Sequence, residues 1–114
     1  MTKDDAKEIL AEIWRGERPL YRTKHIWTRV EGRGYSVLDV YTVLSNGSME
    51  GGPKYNTEYR NHVVRVRGKS GDGQDTRIAI SLYRVGPCWL LSIMPVKPVA
   101  RRKKRGKGTK RGKR

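Results

Sequence analysis

The spacing of apolar residues changes its period once along this chain, and that change constrains the fold more than any other feature. Before Gly47 the apolar residues recur at helical intervals, and after Lys54 they alternate. A period of about 3.6 residues belongs to amphipathic helices and a period of two to half-buried strands, so helices come first and a sheet follows. Asp4 and Asp5 open a first helix in which Ala6, Ile9, Leu10, Ile13 and Trp14 share one side, and Gly16 ends it. Glu17-Arg18-Pro19 reads as a connector, with Leu20 and Tyr21 docking the entry to a second helix that Thr23 caps. Ser36 and Asp39 form an S-x-x-D start for a third helix, whose stripe is Val37, Val40, Tyr41 and Leu44 and whose end is Asn46-Gly47.

The extended half is read from alternation. Ser48 to Pro53 is a glycine-rich loop or a short edge strand near Met49, and Lys54 to Tyr59 is weakly strand-like. Asn61 to Arg67 puts His62, Val64 and Val66 on one face and Val63, Arg65 and Arg67 on the other. Thr76 to Arg84 turns Ile78, Ile80 and Leu82 inward against Arg77, Ala79, Ser81 and Tyr83. Cys88 to Met94 is apolar on both faces, the pattern of a covered strand. The order of elements predicts an α+β fold, with N-terminal helices packed on one face of a three- to four-stranded antiparallel sheet. It forms one domain over residues 1–98, in which 1–16 is an extra N-terminal helix, followed by a basic tail over 99–114.

Charge decides what such a chain meets. The net charge is +15, and ten Lys and Arg with no acid lie between Arg101 and Arg114, so over the first hundred residues sixteen bases exceed eleven acids by only five. A segment of this composition lacks the apolar surface to fold alone and is expected to be disordered. It attracts polyanions through counterion release without reading sequence, which points to RNA or DNA, with anionic lipid as the blander partner. No apolar run approaches the roughly 18 residues that span a bilayer, and the acidic start is unlike a signal peptide, so a cytoplasmic location is expected. One cysteine, Cys88, reads as a small buried hydrophobe.

Most catalytic signatures are missing. Two histidines and one cysteine fall short of a four-ligand zinc site, so no metal and no cofactor are expected. Gly32-Arg33-Gly34 and Gly71-Asp72-Gly73 continue into neither a dinucleotide nor a P-loop pattern and read as turns. What stands out is the second helix. His25, Arg29 and Arg33, four residues apart, fall on one polar stripe while Ile26, Trp27 and Val30 face the other way. Structurally the arginines have Glu17, Glu31 and Asp39 as available ion-pair partners. Chemically the trio suits phosphodiester cleavage, because an imidazole moves protons near neutral pH and guanidinium forks stabilise a developing phosphorane charge.

The run His25-Ile-Trp-Thr-Arg29-Val-Glu-Gly-Arg33-Gly-Tyr-Ser-Val-Leu-Asp39-Val40 resembles the pattern T-x-H-A-x-x-R-M-x-x-R-G-I-S-x-x-D-V of a small toxin-like domain family grouped with RelE-type and MqsR-type ribonucleases. Ile26 and Val30 replace an alanine and a methionine, apolar for apolar. The resemblance spans roughly residues 20 to 94 and extends to Ile78-Ala-Ile-Ser81-Leu, similar to the family's V-V-T-V strand with serine for threonine. It implies a RelE-like fold and a metal-independent endoribonuclease that cuts by internal 2′-hydroxyl attack, restrained by an antitoxin protein. On that reading His25, Arg29, Arg33 and Ser81 are catalytic, and His62, Tyr83, Arg65, Arg67 and the tail's Arg101, Arg102, Lys103, Lys104 and Arg105 bind messenger RNA or the ribosome. The alternative is a non-catalytic RNA- or DNA-binding module, phage-encoded or ribosome-associated, in which the arginines only position phosphates.

Overall fold

In the computed structural model, residues 1–96 are described, and the expectations for residues 97–114, including the disordered tail, lie outside them. Three helices and a six-stranded sheet make up the described residues, with the first strand inserted between the first and second helices. Helix α1 spans Lys3–Trp14, and Thr2 and Asp5 build a reciprocal capping box that satisfies two of the free N–H groups of its first turn. Strand β1 is Leu20–Tyr21, α2 is Lys24–Gly32 and α3 is Val37–Asn46. The Thr23 side chain caps α2 by accepting from the Ile26 amide at 3.1 Å, and Gly34 turns the chain after it with φ +81°. Strands β2 (Ser48–Met49), β3 (Lys54–Asn56), β4 (Asn61–Lys69), β5 (Asp75–Leu82) and β6 (Cys88–Pro95) follow.

The sheet runs β1-β6-β5-β4-β2, with β3 also on β4. β4, β5 and β6 form the expected antiparallel meander, but β1 pairs in parallel with β6 through Leu20–Cys88 and Tyr21–Trp89. The sheet is therefore mixed and six-stranded, which corrects the expectation of three or four antiparallel strands. Leu20 and Tyr21 belong to that sheet and do not merely dock a helix. Two residues are too few to carry a period, and their pairing lies in backbone groups that side-chain patterns do not report.

One core joins the helices to a single sheet face. Ala6, Ile9 and Ile13 of α1, Val30 of α2, and Val40 and Val43 of α3 meet Val64, Val66, Ile78, Ile80, Leu82, Leu90 and Ile93. The N-terminal helix is thus part of the core and no appendage to it. Trp14, expected on the buried stripe, is 49% exposed, and the deepest α3 residue is Val43, while Leu44 is half-buried. Both shifts have one cause: α1 packs against α3, so each helix is buried along the line that faces the other as well as the sheet.

The end of α3 approaches β4 so closely that side chains are excluded there. A Cβ on Gly47 would stand 2.6 Å from the Val43 carbonyl oxygen, and one on Gly68 would stand 2.8 Å from Gly47 Cα. Asn46 closes the junction, donating to the Thr42 and Lys69 carbonyls and accepting from the Lys69 amide. The sheet face opposite this core presents Arg65, Arg67 and Arg77.

Candidate nucleic-acid interface

α2 runs beside β6, beyond the point where β1 ends, and this placement sets out the polar residues. At its start, Thr23, His25 and Ile26 join Tyr59, Ser81, Tyr83, Trp89, Leu90 and Leu91 around a cleft of about 370 Å³. Further along, Ile26, Arg29, Val30 and Arg33 line a separate cavity of about 50 Å³ with Leu91, Ser92, Ile93 and Met94. His25, Ser81 and Tyr83, chosen from sequence, therefore share one cleft. Arg29 and Arg33 adjoin it without entering.

Each wall of the cleft is held by local chemistry. Tyr59 follows Asn56, whose Oδ1 accepts from the Glu58 amide at 2.9 Å and the Tyr59 amide at 3.2 Å, a side-chain turn that fixes the tyrosine. Trp89 meets Tyr21 edge to face with ring centroids 5.4 Å apart, so strand β1 braces it. β5 and β6 lose register between Ala79 and Ile80, which leaves Leu91 as the extra residue of a bulge at the cleft floor. Ser81 is 4% exposed, and its Oγ accepts from Asn61 Nδ2 at 3.0 Å. That hydroxyl is a buried wall group with one lone pair already engaged.

The cations differ in how free they are. Arg29 is exposed, and neither it nor His25 has a side-chain hydrogen bond or ion pair among the described residues. Arg33 donates from Nη1 to the Ile93 carbonyl at 2.7 Å, which commits part of its fork to the backbone of β6. Of the three ion-pair partners available to these arginines in the sequence, two are occupied elsewhere, since Glu17 holds Arg15 at 2.8 Å and Asp39 accepts from the Ser36 amide at 2.9 Å and the Gly71 amide at 2.8 Å, and Glu31 pairs with neither arginine.

On the open sheet face Arg65 is exposed and unpaired among the described residues, whereas Arg67 is bound to Asp75 at 2.6 Å and Arg77 chelates Glu50, with Nη2–Oε2 at 3.0 Å. These pairs hold the Glu50 and Asp75 carboxyls below their usual range, through hydrogen bonds from Arg77 and Arg67 respectively. His62 pairs with Leu82 across β4 and β5 while Ser81 pairs with Val63, so His62 lies on the sheet face opposite Ser81. It stacks edge to face with Tyr55 at 5.4 Å and does not line the cleft. Cys88 is fully buried and burial pushes its thiol up, as suits a structural residue.

Tyr59, Trp89 and Ser92 were missed by sequence reasoning. The Asn56-to-Tyr59 turn was the one available signal for Tyr59, while Trp89 sat inside an apolar run that reads as core. Among the described residues no three His, Cys, Asp or Glu side chains converge as metal ligands, and no helix is long and apolar enough to cross a membrane. Comparison with protein-family models, curated proteins and solved structures returned no match.

Proposed function

We propose that this protein is a metal-independent endoribonuclease of the toxin type, with a RelE-like arrangement, acting on single-stranded messenger RNA in the cytoplasm and restrained by an antitoxin. The observation that carries the reading is the cleft where an exposed imidazole, His25, stands among Tyr59, Tyr83 and Trp89, with the exposed Arg29 guanidinium one helical turn away. Aromatic faces hold unstacked bases, each worth roughly 1–3 kcal/mol, and they do so for any base sequence. The first turn of α2 adds free amide groups that favour an anion.

In the reaction, a ribose 2′-oxygen attacks the adjacent phosphorus and the 5′-oxygen leaves, giving a 2′,3′-cyclic phosphate and a 5′-hydroxyl end. His25 takes the 2′-hydroxyl proton or gives one to the leaving oxygen, and Arg29, with the uncommitted N–H groups of Arg33, offsets the charge that builds on the phosphoryl oxygens. Ser81, buried and bonded to Asn61, shapes the wall and attacks nothing. Incubation of a 5′-labelled oligoribonucleotide with EDTA present, followed by analysis of the ends, tests the reaction: cyclic or 3′-phosphate ends support it, and an intact oligonucleotide with free and ribosome-bound RNA alike refutes it.

A second reading rests on the separation of the cations from the histidine. Because Arg29 and Arg33 line their own cavity and Arg33 is tied to β6, the same surface serves a non-catalytic RNA- or DNA-binding module equally well in its phosphate contacts. Such a module binds RNA and DNA alike and leaves both whole.

A further inference from the structure

Arg18 uses every donor it has. Its Nε and Nη2 both donate to Glu12 Oε1, at 2.9 and 2.6 Å, Nη2 also reaches the Arg84 carbonyl at 3.0 Å, and Nη1 donates to the Tyr83 and Gly86 carbonyls at 3.1 and 2.8 Å. A guanidinium carries five N–H donors in a rigid fork, and here all five are engaged. The side chain is 13% exposed, so water replaces these bonds poorly if they break. The three carbonyls belong to one turn, between β5 and β6, that reverses at Gly86 with φ +97° and carries Tyr83 on its first residue.

We propose that Arg18 is a positioning residue for the cleft: anchored by Glu12 of α1, it fixes the turn from Tyr83 to Gly86 and thereby holds the Tyr83 ring where it can stack on a nucleobase beside His25. The inference rests on the reading of that cleft as an RNA site, but its first consequence, the placing of Tyr83, does not need RNA. A solely structural staple would cost stability and leave the cleft as it is. A positioning residue acts through Tyr83, so its loss and the loss of Tyr83 are not independent.

The test uses the full chain labelled with 3-fluorotyrosine, with the Tyr83 resonance assigned by its absence in Tyr83→Phe. Arg18→Lys keeps the charge but cannot reach three carbonyls and a carboxylate together; Glu12→Gln, which weakens the anchor alone, stands in if Arg18→Lys does not fold. The folded variant should shift or broaden the Tyr83 signal in the free protein while the other tyrosines keep theirs. Binding of a short oligouridylate should weaken about tenfold in it, by a similar factor in Tyr83→Leu, and by no more than either in the double variant. An unchanged Tyr83 signal, or effects on binding that multiply in the double variant, overturns the proposal. If the parent binds no RNA, the RNA reading of the cleft fails by itself, and the Tyr83 signal still decides whether Arg18 places that ring.

Discussion

Arg33 and Ile93 are joined by a single hydrogen bond, Nη1 to carbonyl oxygen at 2.7 Å, that fastens the end of α2 to β6. The next cation back along the helix, Arg29, is exposed and makes no such bond. The two arginines should therefore separate experimentally. Arg33→Ala should lower stability by about 1.5–3 kcal/mol, the range for a hydrogen bond to a charged group, whereas Arg29→Ala should stay within about 0.5 kcal/mol of the parent. Denaturant titration of both measures this, and equal losses would show that the Arg33 bond contributes nothing particular.

The core offers a sharper contrast between adjacent residues. Ile13 is fully buried while Trp14 is 49% exposed, although both lie on the apolar stripe of α1. Ile13→Ala should cost roughly 2–5 kcal/mol, and Trp14→Ala distinctly less despite the larger side chain removed. Reversal of that order in urea unfolding would mean that α1 is rotated about its axis.

Acid should unfold the protein through its paired carboxylates. Glu50, Asp75 and Asp5 are all held below their usual range: Glu50 and Asp75 by their arginines, Asp5 first by the Thr2 amide and hydroxyl. A carboxyl with a depressed value in the folded state adds stability that is fully present above its unfolded value of about 4 and disappears as pH falls through the folded one. Stability should thus be flat from neutral pH to about 5 and decline below about 4, and Glu50→Gln should make that decline shallower. A thermal-melting series across pH 2–7 reads it out, and an unaltered slope in Glu50→Gln would remove the Glu50–Arg77 pair from the explanation.

Salt dependence locates the phosphate contacts. Arg65 is free on the open sheet face, while Arg67 is neutralised by Asp75, so Arg65→Ala should lower the slope of log affinity against log salt by about 0.7 on single-stranded RNA and Arg67→Ala by less. Removing Arg101 to Arg114, with its ten basic residues, should flatten the slope more than either while the domain keeps its melting temperature. Loss of the fold on that deletion would contradict the assignment of the tail to affinity alone.

Local signals made much of this structure legible. Capping by Thr23 and by the Ser36–Asp39 box, the end of α3 at Gly47, the alternation of β4 and β5, and the apolar run of β6 all lie within a few residues of their cause. The parallel pairing of β1 and the three bonds of Arg18 to the Tyr83, Arg84 and Gly86 carbonyls lie in backbone groups far away in sequence, which side-chain periodicity does not encode. In the site, His25, Ser81 and Tyr83 meet as their strand and helix phases require, but the arginines do not join them. An i, i+4, i+8 stripe climbs about 6 Å at each step, so the third member of such a row stands roughly 12 Å from the first, more than a cleft of this size spans. His62 was placed on the correct strand face by alternation, and that face proved to be the other side of the sheet from Ser81.

Cleavage kinetics of the parent and His25→Ala on one oligoribonucleotide, free and ribosome-bound, with EDTA present and a 2′-deoxy control, test the central claim most directly. The parent should cut the ribose substrate and spare the control, and His25→Ala should be roughly 10²–10⁴ slower with RNA affinity within a few-fold of the parent, because the imidazole moves a proton and the cations hold the chain. A parent that binds RNA and cuts neither form of it, or a His25→Ala variant that cuts as fast as the parent, would contradict the assignment of His25 as the catalytic acid or base.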